Sequence, residues 1–307
     1  ATGVVEGRFP VPVTTQLEDC GDSDVILVCT VAAGHRPLAA GLRGVLRPGQ
    51  IILVTNCCWG AVEFDMELGA EAERKGCPIG ETGGQLILCS SPAPDAVYLK
   101  TVKKSMGLAC VRPGDTAGVL ERLAPVFPQL CPAANVLETG FEGAGAMLHP
   151  IPSLMNINKM DLGQSYDYYM EGITPHIADI ISACDKERVA VCRALGVDAL
   201  ALGDMLVKTY KLEPKDSLYD LIQSIESYRA LRNPTNTKHR FIVEDTMSGL
   251  VPLASVGHAL GIPTPMMDAF VNIASAVCGR DFWKEGRTAE KLGMAGKTLE
   301  EIQEMVR

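Results

Sequence analysis

Two segments near the start of the chain, DVILVCT (24–30) and QIILVTN (50–56), are nearly unbroken runs of aliphatic and β-branched residues. Such runs predict parallel strands buried on both faces, which lose the in–out alternation of a half-exposed strand. Between them, HRPLAAGLRGVLRPG (35–49) has helical spacing and ends in a Pro-Gly breaker. Strand, helix and strand together span roughly 30 residues, the size of one βαβ unit. Helical spacing returns in AVEFDMELGAEAERKG (61–76) and in DTAGVLERLAPVF (115–127), where Asp115 is the expected cap. Between those two helices come PIGETGGQLILCSS (78–91), ending in an apolar strand, and the strand-like AVYLKTVKKSMGLACVRP (96–113).

The pattern changes near CPAANVLETG (131–140). TPHIADIISACDKERVAVCRALG (174–196) predicts a long amphipathic helix, with Thr174 as N-cap and Pro175 at the first helical position. SLYDLIQSIESYRAL (217–231) and MMDAFVNIASAVCG (266–279) have the same period, and strand-like runs become few. The expected fold is α/β followed by all-α. A Rossmann-type parallel-sheet domain occupies residues 1–135 and a helical domain 136–307. No GxGxxG turn follows the first strand. A nucleotide-binding sheet uses that turn to bring its backbone against a pyrophosphate. The expectation is therefore a Rossmann domain truncated at its N-terminus, without its first βαβ unit.

Charge and cysteine usage narrow the partners. The 307 residues carry a net charge of −9, which argues against nucleic acid or an anionic membrane, since both select basic surfaces. No apolar run reaches the roughly 20 residues of a membrane helix. The opening residues lack the basic-then-apolar order of a secretory signal. The 11 cysteines form no CxxC pair and sit in apolar segments, which reads as reduced thiols in a cytoplasmic protein. The one local pair, Cys57–Cys58, reads either as buried small residues or as the lining of a pocket at a strand end. No metal site is expected, because ligand spacing for zinc is missing.

Candidate chemistry centres on three places. His149 stands in AMLHPIPSLMN (146–156), among apolar residues and before Pro150, which restricts its backbone. That suits a structural kink, and equally a positioned acid–base group. A proton-handling histidine needs a carboxylate to hold its tautomer. KHRFIVEDTMSGLVPL (238–253) supplies Asp245 and Arg240, read either as a surface loop with a capping acid or as an orienting carboxylate with a carboxylate-binding guanidinium. Glu81, in IGETGG (79–84), is either a turn residue or an acid facing a substrate ammonium. His35 follows the first strand, at the end of an open sheet where ligands bind. His176 and His258 read as helix packing, and His239 as a solvated residue.

The order of DVILVCTVAAGH, IGETGG, MLHPIPSLMN, YYMEGITP, DKERVAVCRALG, RFIVEDTMSGLVPL, GIPTPMMDA and DFWKEGRTAEKLG resembles, nearly from end to end, the octopine/nopaline (opine) dehydrogenase family. The resemblance implies reductive condensation of an α-keto acid, such as pyruvate, with the amino group of an amino acid, using NAD or NADP. It implies that His149 is the acid–base group, Asp245 its partner, and Arg240 the grip on a substrate carboxylate. Glu81 lies near the amino-acid substrate. The likeness places Val31, Ala32, His35 and Asn56 against the cofactor. Expected partners are small-molecule substrates, with a second copy of the chain as a homodimer. Three positions depart from the family pattern. Gly145 stands where an asparagine is usual, Val31 replaces a proline, and NCCWG (56–60) replaces a Gly-rich turn. Two further readings stand beside the dehydrogenase: a redox-inactive relative that binds or dimerises, and a plain keto-acid reductase.

Overall fold

The apolar runs become strands, shortened at both ends. In the computed structural model, which describes residues 1–55, 58–198 and 200–306, the strands are β1 (Thr2–Gly3), β2 (Val25–Val28), β3 (Ile51–Val54), β4 (Ile79–Thr82), β5 (Ile87–Ala93), β6 (Ala96–Val102), β7 (Met106–Cys110) and β8 (Leu130–Pro132). The helices of this part are α1 (His35–Gly41), α2 (Gly60–Arg74), α3 (Thr116–Leu123) and α4 (Val136–Phe141). The chain divides into two units, Ala1–Gly140 and Phe141–Met305.

In the first unit the main sheet runs β2-β3-β4-β7-β8. Strands β2, β3 and β4 are parallel, with Val25 opposite Ile51 and Ile52 opposite Ile79. All four residues of β3 are buried, as the unbroken apolar run required. Ile51 and Leu53 pack with Leu108, Cys110, Val119 and Leu123, which brings β7 and α3 onto the same core. The sheet is mixed rather than wholly parallel, because β7 runs antiparallel to β4. The cause lies in the stretch read as one strand-like run. It breaks at Lys103–Ser105; β6 pairs with β5 and β1 in a separate small sheet, and β7 returns to the main one. The helix expected over 35–49 stops at Gly41; Gly44 and Gly49 then take positive φ, which turns the chain toward β3. Asp115 holds the N-cap position of α3, but its side chain makes no cap hydrogen bond. A 3-10 turn, Pro113–Asp115, leads into that helix instead.

The second unit is helical: α5 (Gly145–Leu148), α6 (Pro150–Met155), α7 (Ile157–Asp161), α8 (Pro175–Ala194), α9 (Leu202–Tyr210), α10 (Leu218–Gln223), α11 (Arg240–Asp245), α12 (Val251–Ala259), α13 (Pro265–Cys278), α14 (Phe282–Glu285) and α15 (Leu299–Glu304). The start of α8 follows the expectation, since Thr174 Oγ1 accepts from the Ile177 amide at 3.3 Å and Pro175 opens the helix. A π-helical turn, Thr246–Leu250, links α11 to α12. Gly249 in that turn lies against α5, and a Cβ there would stand 2.9 Å from the Cβ of Ala146. Among the described residues no helix is long and apolar enough to cross a membrane.

Candidate active site

α5 and α6 meet at His149, which ends the first and precedes the second. Its amide donates to the Gly145 carbonyl at 3.0 Å, and its carbonyl accepts from the Ser153 amide and the Tyr168 hydroxyl. The backbone of His149 is therefore held on both sides. Its φ of −111° and ψ of −63° lie in the helical region despite Pro150. The prolines start α6 rather than push His149 into an extended conformation.

Both ring nitrogens of His149 are engaged. Nδ1 lies 2.9 Å from Asp245 Oδ2, and Nε2 lies 3.0 Å from the Tyr169 hydroxyl. A carboxylate only accepts, so Asp245 places the proton on Nδ1 and leaves Nε2 its lone pair. One ring face stacks on Phe241, with centroids 3.9 Å apart and planes 11° from parallel. Two protein partners and a stacked ring fix the imidazole within its plane.

Helix α11 supplies the other groups. Phe241 lies beneath His149 and Asp245 holds Nδ1. Arg240 is exposed, with its guanidinium carbon 5.4 Å from the Phe241 centroid. No carboxylate of the described residues stands within ion-pair distance of Arg240. The helix starts at His239, which is half-buried rather than simply solvated. Its Nδ1 accepts from the Phe241 amide at 3.2 Å. Burial lowers the pKa of His239, and the neighbouring Arg240 and His149 lower it further. The neutral ring is the form that can accept this hydrogen bond.

Gly145, the departure from the family pattern, has a steric reason. A Cβ at that position would lie 2.5 Å from Asp245 Oδ1 and 3.2 Å from His149 Nδ1. The missing side chain is the space the carboxylate uses to reach the ring.

Tyr169 lay inside the quoted YYMEGITP segment, but neither charge nor spacing marked it. It is buried, stacked on Tyr228 at 4.0 Å and edge-on to Tyr168 at 5.0 Å. Burial, with the nearby Tyr210 and Asp245, drives its phenol pKa upward, so it keeps its proton at any working pH. His258 pairs with Asp268 at 3.0 Å at the junction of α12 and α13.

The residues expected in the first unit fall differently. Glu81 is fully buried. Its carboxylate accepts from the amides of Trp59 (3.3 Å) and Ala61 (3.0 Å) at the start of α2, and from Thr139 Oγ1 (3.2 Å). An acid at a helix N-terminus is stabilised by the free amides there. The ring of His35 is also fully buried, 3.9 Å from Glu63 and edge-on to Phe64. Both side chains that were expected beside ligands are thus buried, with partners inside the unit. Asn56 and Cys57 lie outside the described residues; Cys58 is buried with positive φ. At the carboxyl end of β2, Val31 is half-exposed and Ala32 partly so, and the Gly34 cap of α1 bears no side chain. This small-residue turn fits the apolar ring face of a nicotinamide nucleotide. The start of α2 does not fit its phosphates, because Glu81 already fills it.

The helical-domain model of the NAD/NADP octopine/nopaline dehydrogenases matches residues 132–278. An opine dehydrogenase of Arthrobacter sp. (strain 1C) is 34% identical over 93% of this chain and 79% of its own length. Among solved structures, octopine dehydrogenase with NADH and L-arginine superposes with a TM-score of 0.75 at 17% identity, covering 96% of this chain and 81% of that one. Yersinopine dehydrogenase gives 0.71 at 15% identity, covering 95% and 80%.

Proposed function

The chain belongs to the opine dehydrogenase family, and from that premise we propose that it joins an α-keto acid reductively to the amino group of an amino acid. The observation that carries the reading is the His149–Asp245 pair at 2.9 Å, set on the helix that also presents the exposed Arg240. An acid–base imidazole and an unneutralised guanidinium on adjoining elements suit a substrate that bears a carboxylate beside its reacting carbonyl. Relatives support it, since solved octopine dehydrogenases carry NADH with pyruvate or with L-arginine.

Arg240 grips the keto-acid carboxylate through its planar fork, which aligns the carbonyl carbon for attack by the amine. The condensation expels one water, and that oxygen needs a proton as it leaves. His149 Nε2 is the side from which the proton comes, while Asp245 stabilises the imidazolium through Nδ1. In the reverse direction the same nitrogen takes the proton back. NADH or NADPH, when bound, supplies the hydride that reduces the carbon–nitrogen double bond. Val31 and Ala32 would lie against it, in the turn that the His35 amide closes by donating to the Ala32 carbonyl. Glu81 contributes by fixing the start of α2. A cytoplasmic setting belongs to the same reading, supported by the ten described cysteines being free thiols. A homodimer belongs to it as well, and light scattering tests that part.

The test is NAD(P)H oxidation by the purified protein with pyruvate and a panel of amino acids. Oxidation is expected only when both substrates are present. Equal oxidation by pyruvate alone assigns a plain keto-acid reductase instead. Cofactor binding with no turnover on any pair leaves the redox-inactive reading. In the active protein, His149→Ala is expected to lower turnover by roughly a hundredfold or more.

A further inference from the structure

Resting on that dehydrogenase reading, we propose that Tyr169 is a second catalytic residue, whose hydroxyl relays the proton between His149 Nε2 and the substrate oxygen. Nδ1 of His149 is taken by Asp245, Nε2 faces the Tyr169 hydroxyl at 3.0 Å, and Phe241 covers one ring face. Nε2 is the one nitrogen left for substrate chemistry, and a phenol stands on it.

That phenol is not placed to swing aside. Its ring lies 17° from parallel with Tyr228 at 4.0 Å, and Tyr168 meets it edge-on at 73°. Tyr168 is tied in turn to Ser153 and to the His149 carbonyl. Moving Tyr169 off Nε2 would break apart a buried aromatic stack. A phenol oxygen both donates and accepts. The Nε2 contact uses one of these capacities, and no other hydrogen bond to this hydroxyl occurs among the described residues. The free capacity is what a relay needs.

The proton count closes without a further reactant, because Nε2 takes up the proton that the substrate ammonium gives up in becoming the attacking amine. In condensation, the Nε2–H bond of the imidazolium breaks as a new O–H bond forms on the phenol. The original phenol O–H breaks as its proton joins the departing hydroxyl, which leaves as water. Tyr169 ends as it began, and His149 ends neutral. The reverse reaction runs the same shift backward. The phenol never carries charge for longer than the transfer, which agrees with its burial.

The test replaces Tyr169 by Phe, which keeps the ring stack and removes the hydroxyl. Wild-type turnover with both substrates is measured first; its absence refutes the dehydrogenase reading and the relay with it. Given wild-type turnover, Tyr169→Phe is expected to lose roughly a hundredfold or more in kcat, with keto-acid KM and cofactor Kd within about threefold. The solvent deuterium isotope effect should change as well, because two protons move in the wild type and one in the variant. A folded variant with kcat within about threefold of wild type, or with an unaltered isotope effect, overturns the relay. If Tyr169→Phe does not fold, 3-fluorotyrosine at position 169 keeps ring and hydroxyl while making the proton more acidic. A shifted rate and isotope effect then support the relay, and wild-type values for both refute it.

Discussion

Replacing Gly145 by Ala separates catalysis from folding at one position. An added Cβ would stand 2.5 Å from Asp245 Oδ1, and real Cβ contacts essentially never fall under 3.0 Å. The carboxylate must therefore shift by about half an ångström at Oδ1, and the bond from Oδ2 to His149 Nδ1, now 2.9 Å, is drawn out of line or lengthened, away from the roughly 2.7–2.9 Å of a charge-assisted pair. A hydrogen bond to a charged group is worth about 1.5–3 kcal/mol. Its loss from the transition state corresponds to a fall of roughly 10- to 150-fold in turnover, at about 1.36 kcal/mol per factor of ten. The fold should bear the change, because Gly145 opens α5 with φ outside the left-handed region. The backbone there accepts an alanine, so the strain is confined to the crowding at Asp245 and His149. The assay pairs steady-state NAD(P)H oxidation with thermal unfolding. A large loss of kcat at nearly constant Tm supports the account. Wild-type kcat in a folded Gly145→Ala protein would mean that the Asp245 approach does not matter to the rate. Equal losses of activity and stability would mean that the glycine serves packing alone.

Arg240→Lys should raise the keto-acid KM with a smaller effect on kcat, since lysine lacks the planar fork; an unchanged KM removes Arg240 from the substrate site. The pKa of His239 is lowered in the folded protein, so its contribution is fully present above the ordinary value of about 6.5 and is lost as pH falls through the folded value. Urea midpoints at pH 7.5 and 5.5 should therefore differ more in the wild type than in His239→Asn, which caps without titrating; the cap is worth roughly 0.5–2 kcal/mol. Equal pH dependence in both proteins would show that His239 does not titrate in this role. Glu81→Ala should cost about 1–3 kcal/mol by stripping the acceptor from buried amides, seen as a lower urea midpoint for the first unit. Normal stability with a raised KM for the amine would instead return Glu81 to a substrate-facing role.

What was legible in the sequence was local. Aliphatic runs located β2 and β3, and Thr174-Pro175 located the start of α8, because periodicity and capping depend on near neighbours. The order of motifs pointed to the family over nearly the whole chain. It also implied His149, Asp245 and Arg240 as site residues, with Asp245 as the partner of the histidine, but gave no distance between them. Other features were decided only by packing between distant segments. The His149–Asp245 contact joins residues 96 positions apart. The antiparallel β7 depends on where the 96–113 stretch breaks. Glu81 read equally as a turn acid or a substrate ligand, and only the fold showed that the amides at the start of α2 meet its carboxylate. Tyr169 carried no charge or spacing to mark it, and its hydroxyl matters only because Tyr228 and Tyr168 hold it on Nε2. Gly145 looked like a missing family residue and proved to be the room that Asp245 needs. A chain encodes its elements through neighbours a few residues away. It encodes a site through the steric fit of elements that meet only after folding, and that fit is where Gly145 and Tyr169 acquired their meaning.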